Sequence, residues 1–572
     1  MDLEFIGIGE VYVLNFKKLS NLCEKVFPVR IILLIFLVFI SAFPTWAQED
    51  AWFYFRSRDT AFVPTFNLKD GYLVYSGNDT KLKSVLGKYR IKTFKKTWKN
   101  AKRENLKKTF FVVADKPELK EDLLDKLPNL FEYGEIIAED DKKIFEPNDY
   151  GLTSTIGENL GAQVNLDYLD VLGVPRAWYY TTGSRDIIIG ISDGDIDPEN
   201  IEFAGKTKII QKSNLANGHG ISVAESAAGQ GNNGYGIAGI CYDCSIYATN
   251  YSHFNTLEQL VELSKLGVKV INCSWGTTTF YQTAQDAIYE MLENGTVVVA
   301  IGHNRSFSEA KGKVFYYPAS YDKVIAVSSA SHRYVDYHDN IKLEQGKNLY
   351  YAENIRYYVG RTAGFKNNDT SNIPVLYPVS IRNLNEKIDI VAPSVGIFRY
   401  SEEALHGEIQ VTELNHTSAV APLVTGSIGL MFSLYPCLPA DEVESIIKLT
   451  STNIDDIEAN KPYKGLYGAG MLNTGRAVKM VFDMFAQKEP VKIENQRFSR
   501  WDFKLSSLSN VQLQNQEFTE NATLDLISKT GITIMGNTVL KPNKTGSIHL
   551  KIDPALKKEC ELRLRDPGIL EE

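Results

Sequence analysis

The run Asp186-Ile187-Ile188-Ile189-Gly190-Ile191 does most to limit what this 572-residue chain can fold into. A β-branched stretch without a polar stripe reads as a fully buried parallel strand. Sheets built from such strands place their chemistry at the strands' C-terminal ends. Here the run delivers Asp193 to that end, within Ser192-Asp193-Gly194-Asp195-Ile196-Asp197. Asn217-Gly218-His219-Gly220 and Asn415-His416-Thr417-Ser418-Ala419-Val420-Ala421-Pro422 follow, giving an acid, a base and a hydroxyl in the order Asp, His, Ser. A serine hydroxyl needs an imidazole to take its proton, and the imidazole needs a carboxylate to fix its tautomer and stabilise its cation. Order alone is weak, since any long chain contains these three residue types. Asp193 also suits a turn, with Asp195 and Asp197 close enough to compete, and Ser418 suits a helix N-cap. His219 could be a structural histidine, and turns favour Asn304 as well. The flanking residues decide.

Those flanks resemble the subtilisin-like serine proteases, whose triad also runs Asp, His, Ser. The family's apolar strand ends in Asp-Thr/Ser-Gly, and this chain has Asp193-Gly194-Asp195. Its Gly-His-Gly-Thr-His-Val-Ala is matched by Gly218-His219-Gly220-Ile221-Ser222-Val223-Ala224, with Ser222 in place of the second histidine. Asn232-Asn233-Gly234-Tyr235-Gly236-Ile237-Ala238-Gly239 resembles its Gly-Ile-Ala-Gly stretch. Gly-Thr-Ser-Met-Ala-Ala-Pro becomes His416-Thr417-Ser418-Ala419-Val420-Ala421-Pro422, opening a helix rich in small residues. Val-Val-Val-Ala-Ala-Gly-Asn becomes Val297-Val298-Val299-Ala300-Ile301-Gly302-His303-Asn304, which puts Asn304 where the family keeps its oxyanion donor. Losing one such donor costs about 3–4 kcal/mol. Val270 to Gly276, Tyr317-Pro318-Ala319, Ile388 to Pro393 and Tyr467 to Asn473 resemble further family segments in the right order. The resemblance spans residues 165 to 485 and implies a three-layer α/β/α domain with a mostly parallel sheet. It implies an acyl-enzyme peptidase with Ser418 as nucleophile, His219 as base, Asp193 as orienting acid and Asn304 at the oxyanion. Ser274, Trp275 and Gly276 would line the substrate cleft, Trp275 favouring apolar side chains.

Two departures count against that activity. His416 and His303 replace glycines beside the nucleophile and the oxyanion donor, adding bulk and two groups that titrate near 6.5 when free. A peptide-binding pseudoprotease or a surface adhesion protein is therefore the alternative reading, although no triad member is lost.

Composition fits a soluble globular protein of several modules, with 44% hydrophobic and 23% charged residues. A net charge of −8 argues against nucleic-acid binding. Ile31 to Phe43, after Lys25 and Arg30 and before Thr45-Trp46-Ala47, reads as a signal peptide, with an uncleaved membrane anchor as the alternative. Secretion, the periplasm or the cell surface is the expected location. Cys23 would leave with that segment, Cys273 reads as core, and Cys241 with Cys244 reads as a local disulfide or two packed thiols. No cofactor is expected. Calcium is common in the family, but no dense carboxylate loop assigns ligands to it.

Four regions are expected: 1–47 as an N-terminal extension with the signal, 48–150 as a small α+β prodomain, 160–486 as the protease domain, and 493–572 as a small β module. In 48–150, Tyr72-Leu73-Val74-Tyr75, Thr109 to Val113 and Leu130 to Ile137 read as strands; Thr80 to Leu86 and Leu119 to Leu127 read as helices. This order resembles the family's prodomain, an intramolecular inhibitor removed by cleavage between about 140 and 165. The stretch from Tyr334 to Glu386 is longer than the family core needs and reads as a functional insertion. Thr523 to Ile527, Gly531 to Ile534 and Ser547 to Ile552 alternate like strands. The expected partner is a polypeptide substrate.

Overall fold

The computed structural model describes residues 50–570, apart from 98–102, 155–158, 216–217, 252, 311–312, 336–350 and 403–408. The expected signal segment, its cleavage motif and Cys23 lie outside the described residues.

Seven parallel strands form the central sheet, in the order Ile390–Pro393, Val324–Ala330, Val297–Ile301, Val270–Cys273, Ile188–Ser192, Ser245–Thr249, Thr207–Ile209. Alternation along these strands feeds two cores, because successive side chains point to opposite faces. Ile189, Ile191, Val270, Val297, Val299 and Ile301 join one core; Ile271, Cys273, Val298 and Ala300 join the other. Helices His219–Ala228, Val420–Leu434 and Thr474–Ala486 cover the first face. Glu258–Lys265 and Gln282–Glu293 cover the second. The three layers are those expected, and the β-branched run lies inside the sheet because neither of its faces tolerates water. Thr417–Leu434 is apolar enough to cross a membrane, but it is wholly buried as the central core helix.

The N-terminal unit is a six-stranded antiparallel sheet in the order Phe66–Lys69, Tyr72–Tyr75, Ile91–Lys96, Thr109–Ala114, Ala51–Ser57, Phe131–Ile136. Helices Thr80–Leu86 and Leu119–Lys126 pack into its own separate core. Asp79 starts the first helix by accepting from Leu82 N at 2.9 Å, a side-chain N-cap.

The C-terminal strands do not form hairpins. Val491–Glu494, Arg497–Phe498 and Asp502–Ser507 make one coil, and each strand pairs in parallel with its counterpart in the next coil. Those counterparts are Val511–Gln514, Glu517–Glu520 and Thr523–Ser528, and a third coil of Ile532–Ile534, Val539–Pro542 and Ser547–Ile552 follows. The result is a three-sided parallel β-helix with Phe498, Phe503 and Phe518 clustered inside. Its first coil is built onto the protease-like core. Ser445 Oγ and Glu442 Oε2 on the Ala440–Leu449 helix accept from the edge N–H groups of Lys504 (2.9 Å) and Ser506 (3.1 Å). Lys448, nearly fully buried, pairs with Asp389 at 2.8 Å and lies 4.9 Å from the centre of the Trp501 ring. The tail then returns to the core, where Arg563 N donates to Leu434 O (2.9 Å) and Arg565 N to Tyr180 O (2.7 Å). A Cys437–Cys560 disulfide ties it there, and Cys241 is bonded to Cys244.

Candidate active site

Asp193 stands one residue past its strand, and its N–H still donates to Thr249 O of the neighbouring strand at 2.9 Å. The side chain is 1% exposed. Its Oδ1 accepts from Gly194 N at 2.6 Å and lies 2.6 Å from His219 Nδ1. The other two aspartates turn elsewhere: Asp195 faces Lys212 at 4.0 Å, and Asp197 accepts from Glu199 N at 3.0 Å.

His219 opens its helix after Gly218, whose φ of 71° is costly for any residue with a Cβ. Gly220 is more tightly constrained. A Cβ there would stand 2.4 Å from Gly194 O and 3.1 Å from Asp195 O. Any side chain at 220 would push the helix away from the strand end and His219 away from Asp193. Ser222, where the family's second histidine would stand, back-bonds to Gly218 O at 2.8 Å.

Ser418 lies in a 3₁₀ turn, Thr417–Ala419, at the head of the buried Val420–Leu434 helix and packed against the helix that carries His219. Ser274 holds the turn from one side, donating to Ser418 O at 3.2 Å while accepting from Asn272 at 3.0 Å. Asn304 holds it from the other. Asn304 Oδ1 accepts from Thr417 N at 2.8 Å and from Thr417 Oγ1 at 2.6 Å. A backbone N–H can only donate, so the oxygen must face Thr417 and the amide's NH₂ end is turned away from it.

Trp275 is 9% exposed, its ring 5.0 Å from that of the exposed Phe254 and its Nε1 donating to Ser192 O at 3.0 Å. The indole thus props the strand end that carries Asp193. Gly276 lies against Tyr316 and Tyr317.

The two histidines that replace glycines behave differently. His416 has extended backbone (φ −140°), which any residue adopts. His303 has φ 87°, a left-handed conformation that glycine takes without strain. Its ring is stacked on Tyr316 at 3.9 Å, and its Nδ1 accepts from Arg305 N at 3.3 Å. Burial lowers the pKa of both, with Arg382, His219 and Arg361 adding to the effect at His416 and Arg305 at His303. Positive charge at both positions is therefore disfavoured.

The sequence reading missed Arg382. It donates to Asn304 O at 3.2 Å and to Asn415 O at 3.1 Å, strapping the two loops beside the Ser418 turn together. Next to it, Asn383 Nδ2 donates to Gly302 O at 2.7 Å. Both come from the irregular exit of the 334–386 insertion, which thus reaches the loops beside the Ser418 turn. Arg382→Ala is expected to lower kcat about tenfold with little change in KM, as small displacements of positioned groups do; steady-state kinetics on a peptide substrate checks it.

The model of the subtilase family matches residues 184–470, half of the chain. Subtilisin DY of Bacillus licheniformis is 26% identical over 270 residues, which cover 46% of this chain and 78% of that protein. A calcium-dependent protease of Trichormus variabilis is 24% identical over 62% of this chain and 53% of its own length. The solved structure of the prenylagaramide maturation protease PagA shares 19% identity over 54% of this chain and 98% of that one, with a TM-score of 0.40. The chain belongs to the subtilase family and is a subtilisin-like serine peptidase.

Proposed function

We propose that this is an exported serine endopeptidase that cuts polypeptides through an acyl-enzyme. The carrying observation is the 2.6 Å contact between buried Asp193 and His219 Nδ1, on a helix packed against the Ser418 turn. In this reading His219 takes the Ser418 proton as the hydroxyl attacks the scissile carbonyl. The proton then passes to the leaving amine, and water repeats the sequence on the ester. Asp193 keeps the Nδ1 proton in place and stabilises the imidazolium. The NH₂ of Asn304 and backbone N–H groups at the helix head hold the oxyanion. Export is supported by the apolar segment at 31–43 and by extracellular relatives such as the Bacillus subtilis minor extracellular protease Epr.

We assign the N-terminal unit, residues 48–150, as an intramolecular inhibitor. Its support is a self-contained core followed by a connecting segment that lies along the protease domain. There Asp149 accepts from Asn232 N and Asn233 N, both at 3.0 Å. Maturation within 140–165 would have to break this docking.

Calcium enters no step. Glu202 carries two buried oxygens without a hydrogen-bond partner, and burial with Glu225 nearby pushes its pKa up to about 9. No group of three His, Cys, Asp or Glu among the described residues is arranged to hold a metal, so this does not amount to a calcium site.

Fluorophosphonate labelling of the exported protein, beside a Ser418→Ala control, tests the function. Labelling at Ser418 that vanishes in the control is the expected result. A folded, prodomain-free protein that fails to label would overturn it in favour of the peptide-binding alternative.

A further inference from the structure

The Ser418 turn is gripped between two loops that leave adjacent parallel strands, Val270–Cys273 and Val297–Ile301. Ser274 supplies one grip and Asn304 the other. A substrate whose carbonyl carbon meets Ser418 and whose oxygen meets Asn304 has its acyl-side Cα one bond further on. That residue's side chain must therefore leave beside these same two loops.

The space between them is filled. Tyr316, from the segment leading to the next strand, is 7% exposed. A Cβ on Gly276 would stand 3.5 Å from Tyr316 Cβ and 3.9 Å from its Cδ1, so the ring rests on the first loop. On its other side the His303 ring lies 3.9 Å away and 4° from parallel, anchored by Arg305 N. Thr277 and Tyr317 exchange two backbone hydrogen bonds, at 2.8 and 2.7 Å, which close the far end. Two stacked rings thus bridge the loops, and one belongs to a residue held at φ 87° directly before the oxyanion amide.

We propose that the Tyr316–His303 stack is a plug that restricts this peptidase to substrates with glycine, alanine or serine at the residue whose carbonyl is attacked. This rests on the peptidase reading above and names the substrate class of that same site. A small side chain clears the rings, whereas a leucine or phenylalanine must displace them. Pocket selection of this kind changes kcat/KM by about tenfold or more for each misfitting methylene.

The test is cleavage-site profiling on a peptide library with the full-length chain, scored only when Ser418 labels with fluorophosphonate. Matched peptides with alanine or phenylalanine at the attacked residue then give a kcat/KM ratio. The wild type is expected to favour alanine about 100-fold. Tyr316→Gly removes the first ring and His303→Gly the second, the latter at a backbone angle that suits glycine. Each is expected to shift the ratio at least tenfold toward phenylalanine. Wild-type cleavage after phenylalanine as fast as after alanine overturns the plug, as does an unchanged ratio in both variants while Ser418 still labels. If the wild type neither labels nor cleaves, the peptidase reading itself fails and takes this one with it.

Discussion

Asp193→Asn is expected to lower kcat by about 10²-fold while leaving KM and the melting temperature close to wild type. Asn and Asp have the same shape, and the 193 side chain would keep an acceptor for Gly194 N, which now donates to Asp193 Oδ1 at 2.6 Å. That acceptor must be the amide oxygen, since two facing N–H groups repel. The same Oδ1 lies 2.6 Å from His219 Nδ1, so the amide oxygen accepts from both groups and the NH₂ takes the place of Oδ2. The imidazole keeps its proton on Nδ1 and its Nε2 free to accept from Ser418, but no carboxylate charge offsets the imidazolium that then forms. The ring stays in place beside a neutral partner, so substrate binding persists and proton transfer slows. Steady-state kinetics with circular dichroism separates this from misfolding. A kcat within tenfold of wild type in the Asn variant would mean that Asp193 only anchors the helix start.

The parts of this site that were legible in the sequence are those fixed by backbone geometry. Asp193 stands out as a candidate because an apolar run fixes its register. His219 stands out because flanking glycines let the helix head touch Gly194. Ser418 stands out because the residues after it open a helix of small residues that runs through the core. Arg382 was invisible, since it acts through two backbone carbonyls that no residue pattern marks. The bond from Trp275 Nε1 to Ser192 O was equally invisible, because strand-end position alone does not say which way a ring turns. The C-terminal strands were legible one at a time, but their topology was not. Asn- and Gly-bearing turns of similar length serve hairpins and β-helix corners alike, and only the repeated inward Phe and Leu positions distinguish a coil. The Cys437–Cys560 link, spanning 123 residues of sequence separation, ties that coil's tail to the core and leaves no local signature.

Asn304→Ala is expected to reduce kcat by about 10²–10³-fold, the cost of one missing oxyanion donor. The substitution also removes the acceptor for Thr417 N and Thr417 Oγ1, so alanine alone confounds two roles. An unpaired buried N–H at the nucleophile's own turn costs about 1–3 kcal/mol and lets the turn shift. Asn304→Asp separates the two. A carboxylate still accepts both bonds from Thr417, so the turn and the melting temperature should be restored. It has no proton to give, however, and it places negative charge where the tetrahedral oxygen becomes an anion. The aspartate variant is therefore expected to be as stable as wild type and at least as inactive as the alanine variant, with KM little changed in both. Wild-type turnover in Asn304→Asp would show that Asn304 serves only to clamp the turn, and the oxyanion would then have to rest on backbone donors at the head of the Ser418 helix.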